Sequence, residues 1–419
     1  MRPLGGQGGP ARVVVVALGS RGDVQPMAEL AARLGTNGLD ATLLCSPDSA
    51  WLGRARGVPT REVGPPIAAW FERHRGRSVL DVLFMRRFVR HVAEHQEELA
   101  RTLVRELAGH ELVLGAGFAW GAATAAEALA IPYHFVALSP SLVPGESHAP
   151  LLRSHPGLPA LANRALWWAS RRLVAGLVGP PLTRARAALG LAAVSDPHAH
   201  LLGRTVLLAC DPALAAVPST PHAVRAIGFL APPDAPLPPE VAAFLERPGA
   251  APVVSLGFGS MVQREPRRTA DLLVDAAREA GFRSVIQRGW GDLEPSRAAP
   301  DVLVVDEVPH AALFARVAAV VHHGGAGTTH VAARAGAPQV VVPHILDQHA
   351  WADRVARLGL GASLDRRALE LHALARLIRE AAAPATTARA RAFAEALARS
   401  SWDPVAAVRA LLVSPVSTP

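Results

Sequence analysis

The stretch VHHGGAGTT at Val321–Thr329 decides how this chain folds. It follows an apolar run typical of a buried strand and precedes a segment with helical periodicity. Gly324, Gly325 and Gly327 allow the backbone to turn tightly and to approach a ligand closely. The order of strand, glycine-rich turn and helix predicts one unit of a parallel sheet covered by helices.

The start of that helix is a candidate ligand site. A helix presents free backbone N–H groups and the positive end of its dipole at its first turn. We expect Thr328 and Thr329 at the helix start, where their hydroxyls would join those N–H groups, and His323 can donate to the same place. This combination favours a bound diphosphate. The alternative is an ordinary glycine-rich turn with a helix cap.

Short apolar runs recur on both sides of this stretch, and helical patterns lie between many of them. Such alternation predicts an α/β fold with parallel sheets and helices on both faces. The predicted strands are Val13–Leu18, Ala41–Cys45, Leu112–Gly115, Tyr133–Leu138, Pro252–Leu256, Ser284–Gln287, Val302–Val305, Ala319–His322 and Gln339–Val342. The predicted helices are Pro26–Leu34, Trp120–Ala130, Thr269–Ala280 and Thr328–Ala335. Two doubly wound units facing across a cleft would hold their ligands at the carboxyl ends of the strands.

A proline-rich sequence, APPDAPLPPE at Ala231–Glu240, separates the two halves. Proline at this density stiffens a connection and interrupts regular structure. We therefore expect an N-terminal Rossmann-like domain at 1–230, a linker at 231–250 and a C-terminal Rossmann-like domain at 251–395. The helix and tail at 396–419 should pack back on the N-terminal domain.

A second polar segment, PHILDQH at Pro343–His349, also follows a predicted strand. Asp347 and Gln348 offer acceptors and donors side by side, which suits the hydroxyls of a sugar ring. A solvated loop is one alternative. A metal site formed by His344, Asp347 and His349 is another, although the mixed spacing and the lack of a nearby cysteine disfavour it.

The first half contains its own polar loop, LGSRGDVQP at Leu18–Pro26, between the first strand and the first helix. Asp23 could cap the helix, or its carboxylate could face the cleft and accept a proton from a bound hydroxyl. A carboxyl with an ordinary pKa is a weak base for an alcohol, so desolvation would have to raise the pKa of Asp23. Arg21 would oppose that change unless it points toward a phosphate, and Ser20 lies beside both.

Composition excludes several classes of protein. The net charge is +8, but every basic residue is arginine and these residues are spread along the chain. This pattern indicates a GC-rich genome rather than nucleic-acid binding. The two cysteines, Cys45 and Cys210, suit a reducing compartment. No window approaches the roughly 20 apolar residues of a spanning helix, so we expect a cytoplasmic protein without stable membrane insertion.

The motifs together resemble family 1 glycosyltransferases with the GT-B fold, nearest the branch of sterol glucosyltransferases and of enzymes that decorate glycopeptide and polyketide antibiotics. VHHGGAGTT followed by VVPHILDQHAWADRV is similar to the donor-binding signature of that family. SLGFGSM at Ser255–Met261, QRGWGD at Gln287–Asp292 and VPHAALF at Val308–Phe314 resemble further parts of the same domain. The resemblance spans Pro252 to about Leu360.

The resemblance implies a role for each candidate residue. His323, the glycines and Thr328 would hold the diphosphate of a nucleotide sugar, and Asp347 with Gln348 would hold the sugar. Ser260 would lie near the phosphates, the backbone of Val308 would meet the base, and Trp290 would pack against the nucleoside or in the core. The complete donor-binding set is Ser260, Trp290, Val308, His323, Gly324, Gly325, Gly327, Thr328, Asp347 and Gln348.

The N-terminal loop is similar to the GTRGD-type loop of the same branch, whose aspartate is the proposed general base. Asp23 is therefore the expected catalytic residue, with Ser20 and Arg21 near the donor phosphate or the acceptor. Many relatives outside this branch carry a histidine base at the position that Arg21 matches, and an arginine stays protonated. If Asp23 is not the base, His134 and His148 remain as candidates.

The expected function is that of an inverting, metal-independent O-glycosyltransferase. It would need no cofactor beyond a dTDP- or UDP-sugar co-substrate, and its partner would be a small hydrophobic natural-product acceptor. The arginine- and aromatic-rich stretches Ala68–Val92 and Leu158–Leu182 could wall the acceptor site or simply pack on the sheet, and Ser139–Pro150 resembles the acceptor-side loop. Alternatives are a sterol or lipid UDP-glucosyltransferase, a non-catalytic nucleotide-binding partner protein, and an epimerase or phosphorylase on the same architecture. A Rossmann oxidoreductase is disfavoured because Val262 stands where a third glycine belongs.

Overall fold

The computed structural model describes residues 9–74, 82–146, 148–150, 158–220 and 222–413. The predicted acceptor stretch Ala68–Val92 and the predicted loop Ser139–Pro150 therefore fall partly outside the described residues, at 75–81 and 147. The end of the predicted tail, at 414–419, also lies outside them.

Two parallel sheets organise the described part of the chain. The first has seven strands in the order β3-β2-β1-β4-β5-β6-β7, and the second has six in the order β10-β9-β8-β11-β12-β13. The strands of the first sheet are β1 (Arg12–Leu18), β2 (Asp40–Cys45), β3 (Thr60–Glu62), β4 (Leu112–Gly117), β5 (Tyr133–Ala137), β6 (Thr205–Leu208) and β7 (Ala223–Ala226). Those of the second are β8 (Val253–Gly257), β9 (Arg283–Gln287), β10 (Val302–Val305), β11 (Ala319–His322), β12 (Gln339–Val341) and β13 (Gly361–Ser363).

Helices cover both sheets. Those of the first half are α1 (Arg21–Thr36), α2 (Ala50–Arg54), α3 (Ile67–Arg73), α4 (Val82–Glu94), α5 (Gln96–Leu107), α6 (Gly121–Ala128), α7 (Ala160–Ala188) and α8 (Pro197–Leu202). Those of the second are α9 (Pro239–Leu245), α10 (Pro266–Glu279), α11 (His310–Phe314), α12 (Ala326–Arg334), α13 (Gln348–Arg357), α14 (Leu371–Ala381), α15 (Pro384–Ala398) and α16 (Pro404–Val413). None of the helices in the described ranges is long and apolar enough to cross a bilayer.

The last helix, α16, packs on the first sheet. Val408 and Leu411 join the same apolar cluster as Leu34 of α1, and Arg225 of β7 donates to the carbonyl of Ala407 at 3.2 Å. We call the first sheet with α1–α8 and α16 the N-lobe, and the second sheet with α9–α15 the C-lobe. The domain bounds drawn from the sequence stay a prediction.

Each sheet has one point at which the strand order reverses. In the N-lobe this switch point lies between β1 and β4, and in the C-lobe between β8 and β11. Loops that leave neighbouring strands at a switch point run in opposite directions and open a crevice at the carboxyl edge of the sheet. The loop that carries Asp23 follows β1, and the turn that carries His323 follows β11. Both candidate motifs therefore lie where an open α/β sheet binds its ligands.

Two predicted helix starts are wrong. Helix α1 begins at Arg21 rather than Pro26, because Ser20 caps it, and Pro26 lies inside the helix at its sixth position. Helix α12 begins at Ala326 rather than Thr328, since the N–H of Thr329 already bonds the carbonyl of Gly325. Helix α9 lies within the expected linker at 231–250, and its apolar residues Val241 and Phe244 pack on the C-lobe.

Candidate active site

Asp23 occupies the third position of α1, directly beyond the carboxyl end of β1. The backbone N–H of Ser20 donates to Asp23 Oδ2 at 2.7 Å, and the Ser20 hydroxyl donates to the same oxygen at 2.9 Å. Ser20, and not Asp23, is thus the helix cap. The Asp23 side chain accepts from the backbone N–H of this cap residue, as in a capping box. Gly19 has φ +152°, and a side chain there would overlap the Asp23 carboxylate. Glycine at 19 is what allows the carboxylate to fold back over the loop.

The environment of Asp23 makes it a better base than an ordinary aspartate. Burial raises its pKa to about 6, although the two bonds from Ser20 act in the opposite direction. The nearby carboxylate of Asp347 raises the pKa further. Both bonds from Ser20 end on Oδ2, so Oδ1 takes part in neither. A carboxylate of this kind is mostly ionised at neutral pH and can accept a proton.

Arg21 reaches across to the C-lobe. Its Nη1 lies 2.9 Å from Glu307 Oε1, its Nε donates to Gln25 at 2.9 Å, and its guanidinium lies 5.5 Å from the Trp51 ring centroid. The ion pair is exposed on both sides, so its contribution to stability is small. Since Glu307 directly precedes Val308, the pair joins the N-terminal loop to the edge of the C-lobe expected to meet the base.

The glycine-rich turn ends in a helix N-terminus with free donors. Gly325 caps α12, so the N–H groups of Ala326, Gly327 and Thr328 precede the first intrahelical bond. The hydroxyl of Thr329 donates back to Gly325 at 2.9 Å and its side chain is buried, whereas Thr328 remains half-exposed. Of the two threonines, Thr328 is the one that a ligand can reach.

His323 is held against this turn. A Cβ at Gly325 would lie 2.5 Å from His323 Nε2, so glycine is required for the close approach. The ring is buried, which lowers its pKa to about 4, and nearby His310 lowers it further. His323 Nδ1 has no hydrogen-bond partner among the described residues. A buried polar atom without a partner is costly, and a ligand that bonds to it removes that cost.

His322, which the sequence analysis did not single out, orders the same turn. Its Nε2 bonds Gln339 Oε1 at 2.9 Å, and its Nδ1 accepts from the N–H of Gly324 at 3.1 Å. Burial lowers its pKa to about 3, so the ring is neutral and keeps one accepting nitrogen for the turn. His322 therefore orders the turn, whereas His323 keeps a ring nitrogen that has no partner among the described residues.

Asp347 and Gln348 point in different directions. Gln348 Oε1 accepts from the N–H groups of His344 and Ile345 at 2.8 and 3.1 Å, so its amide stabilises its own loop. Asp347 Oδ2 instead accepts from the Trp351 indole at 2.8 Å, and burial raises the pKa of this carboxyl. In this structure Asp347, rather than Gln348, faces the neighbouring lobe.

The remaining donor candidates line the same edge of the C-lobe. Ser260 is half-buried in the loop after β8, and that loop is joined to the next one because the N–H of Trp290 donates to Gly259 at 2.9 Å. The Val308 side chain is buried in the core, so only its backbone can meet a ligand. The Trp290 ring is half-buried and lies 5.9 Å from Phe71 of the N-lobe.

The metal alternative does not fit the observed contacts. His344 Nδ1 bonds the Val342 carbonyl at 2.8 Å, and its Nε2 lies 3.1 Å from the Gln263 amide nitrogen. Both ring nitrogens are therefore engaged. Within the described ranges, no three His, Cys, Asp or Glu side chains are grouped as metal ligands would be.

Comparison with known proteins places this geometry in a family. Residues 267–411 match the family described as "Erythromycin biosynthesis protein CIII-like, C-terminal domain". The chain is 37% identical over 392 residues to glycosyltransferase GtfE of Amycolatopsis orientalis, covering 91% of this chain and 93% of that protein. It is 36% identical over 412 residues to the vancomycin aglycone glucosyltransferase of the same organism, covering 97% and 98%. The chain is a GT-B glycosyltransferase of the family that contains these two enzymes.

Solved structures confirm the fold predicted for this glycosyltransferase. The glycosyltransferase of kitacinnamycin superposes with a TM-score of 0.71 at 19% identity, covering 96% of this chain and 98% of that one. VinC in complex with dTDP superposes with a TM-score of 0.69 at 20% identity over the same shares of the two chains.

A plant sterol 3-beta-glucosyltransferase, UGT80B1 of Arabidopsis thaliana, is 28% identical in sequence over 84% of this chain and 59% of its own length.

The two stretches expected to wall the acceptor site differ in the residues that they contact. Helices α3 and α4, from Ala68–Val92, place Phe71 and Phe88 with ring centroids 4.9 Å apart, and Phe88 lies 5.3 Å from Phe118. The N–H of Phe118 donates to Leu18 beside the Asp23 loop at 2.8 Å. With Trp290, these three phenylalanines form an aromatic arc that runs from the Asp23 loop to the C-lobe.

The second stretch, Leu158–Leu182, lies in α7. Trp167 is buried and its indole donates to the carbonyl of His148 at 2.9 Å, whereas Trp168 is 64% exposed.

The two alternative bases of the glycosyltransferase are each hydrogen-bonded to a backbone carbonyl. His134 bonds Thr205 and His148 bonds Val143, and burial lowers the pKa of both rings.

Proposed function

We propose that this glycosyltransferase moves a sugar from a dTDP- or UDP-sugar to a hydroxyl of a hydrophobic natural-product acceptor, with inversion and without a metal. The observation that carries the proposal is the pairing of two loops across the lobes. One holds Asp23, whose pKa burial raises to about 6; the other holds His323 and the first turn of α12. The Arg21–Glu307 ion pair, 2.9 Å long, joins the edges of the two sites.

The proposed reaction is a single displacement. Asp23 accepts the proton of the acceptor hydroxyl while the oxygen attacks the anomeric carbon. The bond from that carbon to the diphosphate breaks on the opposite face, through a transition state with oxocarbenium character as in glycoside hydrolysis. The N–H groups of Gly327 and Thr328, together with His323, stabilise the charge that develops on the leaving diphosphate.

The relatives support the natural-product acceptor over the alternatives. The vancomycin aglycone glucosyltransferase is 36% identical over 97% of this chain, whereas the sterol enzyme quoted above is 28% identical over 84%. Phe71, Phe118 and Trp290, the half-buried members of the aromatic arc, offer surfaces on which a flat, hydrophobic acceptor can stack, while the buried Phe88 supports them from behind. A non-catalytic partner protein would not need a carboxylate with a raised pKa at this position. The proposal includes a cytoplasmic location, which rests on the unpaired thiols of Cys45 and Cys210.

Two measurements test the proposal. Thermal-shift titration with UDP, dTDP and their sugars should raise the melting temperature, by an amount equivalent to about 2.7 kcal/mol at a ligand concentration 100 times Kd. His323→Gln should weaken all of these ligands. Asp23→Asn should abolish turnover while donor binding is retained. Turnover is measured by mass spectrometry of the glycosylated acceptor.

The control is Asp40→Asn, because Asp40 lies at the amino end of the neighbouring strand β2, whereas Asp23 lies beyond the carboxyl end of β1. This variant should keep full activity. Full activity of Asp23→Asn would remove Asp23 from the mechanism, and nucleotide binding that ignores His323→Gln would remove the α12 turn from the donor site.

A further inference from the structure

A buried histidine of α12 contacts both the candidate donor site and the N-lobe. His330 lies one turn after Ala326, the first residue of the helix, and its side chain is buried. Its Nε2 accepts from the backbone N–H of Asp211 at 3.2 Å. Because an N–H can only donate, Nε2 carries the lone pair and Nδ1 carries the ring proton. Nδ1 therefore donates to the carbonyl of Ala326, which is 2.7 Å away.

The bond to Ala326 acts on a donor of the proposed diphosphate site. The carbonyl of Ala326 and the N–H of Gly327 belong to one planar peptide group, so a bond that fixes the carbonyl also fixes the direction of this N–H. Polarisation along such a chain of hydrogen bonds strengthens the N–H as a donor. A Cβ at Gly327 would meet no described atom within 4 Å outside its own helix and its chain neighbours. Because glycine is conformationally free, the bond from His330 is an added restraint on this peptide group.

The N-lobe partner of His330 is itself firmly held. Asp211 follows β6, is 1% exposed, and accepts at Oδ2 from Arg334 Nη1 at 2.9 Å. Its carbonyl accepts from the N–H groups of Leu214 and Ala215 at 2.9 and 2.8 Å. Since Arg334 lies one turn after His330 on α12, the loop after β6 contacts this helix at two successive turns. A shift of the loop along α12 would break both contacts.

The faces of the His330 ring are packed as closely as its nitrogens are bonded. The ring stacks on Phe229 with centroids 4.7 Å apart and planes at 14°. It meets Trp351 of α13 nearly edge-on, with centroids 5.0 Å apart. The Trp351 indole in turn donates to Asp347 Oδ2 at 2.8 Å. The ring therefore cannot rotate without disturbing the tryptophan that orients the candidate sugar-binding carboxylate.

We propose that His330 is a positioning residue that couples the N-lobe contact at Asp211 to donor binding, since one neutral ring bonds both the first peptide group of α12 and the loop after β6. This inference rests on the proposed function and adds to it a connection between the two lobes. Burial lowers the pKa of His330, which keeps the ring in the neutral form that can donate at Nδ1 and accept at Nε2.

Two substitutions separate the two bonds of the ring. The amide nitrogen of His330→Asn replaces Nδ1 and can still donate to Ala326, but this side chain does not reach Asp211. The amide oxygen of His330→Gln replaces Nε2 and can still accept from Asp211, but the bond to Ala326 is lost. In isothermal titration, His330→Asn should bind UDP and dTDP within about 2-fold of the wild type, whereas His330→Gln should bind both about 3- to 10-fold more weakly, as expected for one neutral hydrogen bond.

Hydrogen exchange followed by mass spectrometry measures the coupling to the N-lobe. Because coupling between two sites is reciprocal, saturating dTDP should slow exchange in the peptide 208–216 of the wild type about 5-fold. Both His330→Asn and His330→Gln should remove most of this slowing, since each breaks one of the two bonds in series. A merely structural role would not give a variant that binds dTDP normally and has lost the response of the loop.

Arg334→Gln is the matched control, because it breaks the other contact between Asp211 and α12 and leaves both bonds of His330 in place. It should exchange faster in this peptide overall but keep the slowing by dTDP. Equal weakening of dTDP by His330→Asn and His330→Gln, or a slowing that survives in His330→Asn, would overturn the inference. Exchange in the wild-type peptide that ignores bound dTDP would also overturn it, even if a variant fails to fold. Failure of the wild type to bind UDP and dTDP would instead contradict the proposed function.

Discussion

The bond between the Ser20 hydroxyl and Asp23 provides a direct way to test the catalytic base. Asp23 Oδ2 accepts from the Ser20 backbone at 2.7 Å and from its hydroxyl at 2.9 Å. Both bonds favour the ionised form, yet burial still raises the pKa of Asp23 to about 6. Ser20→Ala removes only the hydroxyl bond and leaves the backbone bond in place. The pKa of Asp23 should therefore rise further.

The size of that rise follows from the strength of the lost bond. A hydrogen bond to a charged group contributes about 1.5–3 kcal/mol, and one pKa unit corresponds to about 1.4 kcal/mol. Because the site is only half-buried, water replaces part of the interaction, and we expect a rise of about one unit. The acidic limb of kcat/KM should move from about pH 6 to about pH 7, with a roughly fivefold loss of activity near pH 6 and little loss near pH 9.

The assay is the pH dependence of kcat/KM for the wild-type, Ser20→Ala and Ser20→Thr proteins. Ser20→Thr keeps the hydroxyl and should follow the wild-type limb. Replacement of a helix cap by alanine costs about 1 kcal/mol of stability, so thermal unfolding is recorded at each pH. A Ser20→Ala limb that coincides with that of the wild type would refute the assignment of Asp23 as the titrating base.

Two further changes test the electrostatics of the cleft. The folded-state pKa of Asp23, about 6, exceeds its ordinary value, so its ionisation opposes folding above pH 6 and not below about pH 4. Asp23→Asn should therefore raise the melting temperature near pH 8 but not near pH 4, and the gain in unfolding free energy is at most about 3 kcal/mol. An equal shift in melting temperature at both pH values would contradict this. Arg21→Ala and Glu307→Ala should each lower the free energy of unfolding in denaturant by less than about 1 kcal/mol, because both partners are exposed. The loss of stability should be smaller in high salt, and a double variant in which the two charges are exchanged should recover it. A loss of several kcal/mol would contradict the exposed position of the pair.

The parts of the fold that depend on local pattern could be predicted from the sequence. The apolar runs of β1, β4 and β11 are buried on both faces, so their composition reveals them without tertiary information. Strands β3, β7 and β13 could not be found in this way. They are three or four residues long and largely exposed, and pairing with a neighbour is what makes them strands.

The candidate site likewise contains residues that the sequence reveals and residues that only the fold reveals. The motifs around Asp23 and His323 were recognisable because glycine, a polar residue and a strand stand next to one another in the chain. Trp351 and Glu307 gave no such signal, since each matters through a partner in three dimensions. The direction of Gln348 likewise depends on backbone N–H groups that only the folded loop presents.

The position of α16 has a consequence for protein engineering. Because this helix returns to the N-lobe, the polypeptide passes between the lobes twice, once before α9 and once after α15. A hybrid enzyme that takes its acceptor half from one parent and its donor half from another must therefore be spliced at both passages. If only the first junction is exchanged, the final helix of one parent is left against the groove of the other, where Arg225, Arg409 and their carbonyl partners no longer correspond.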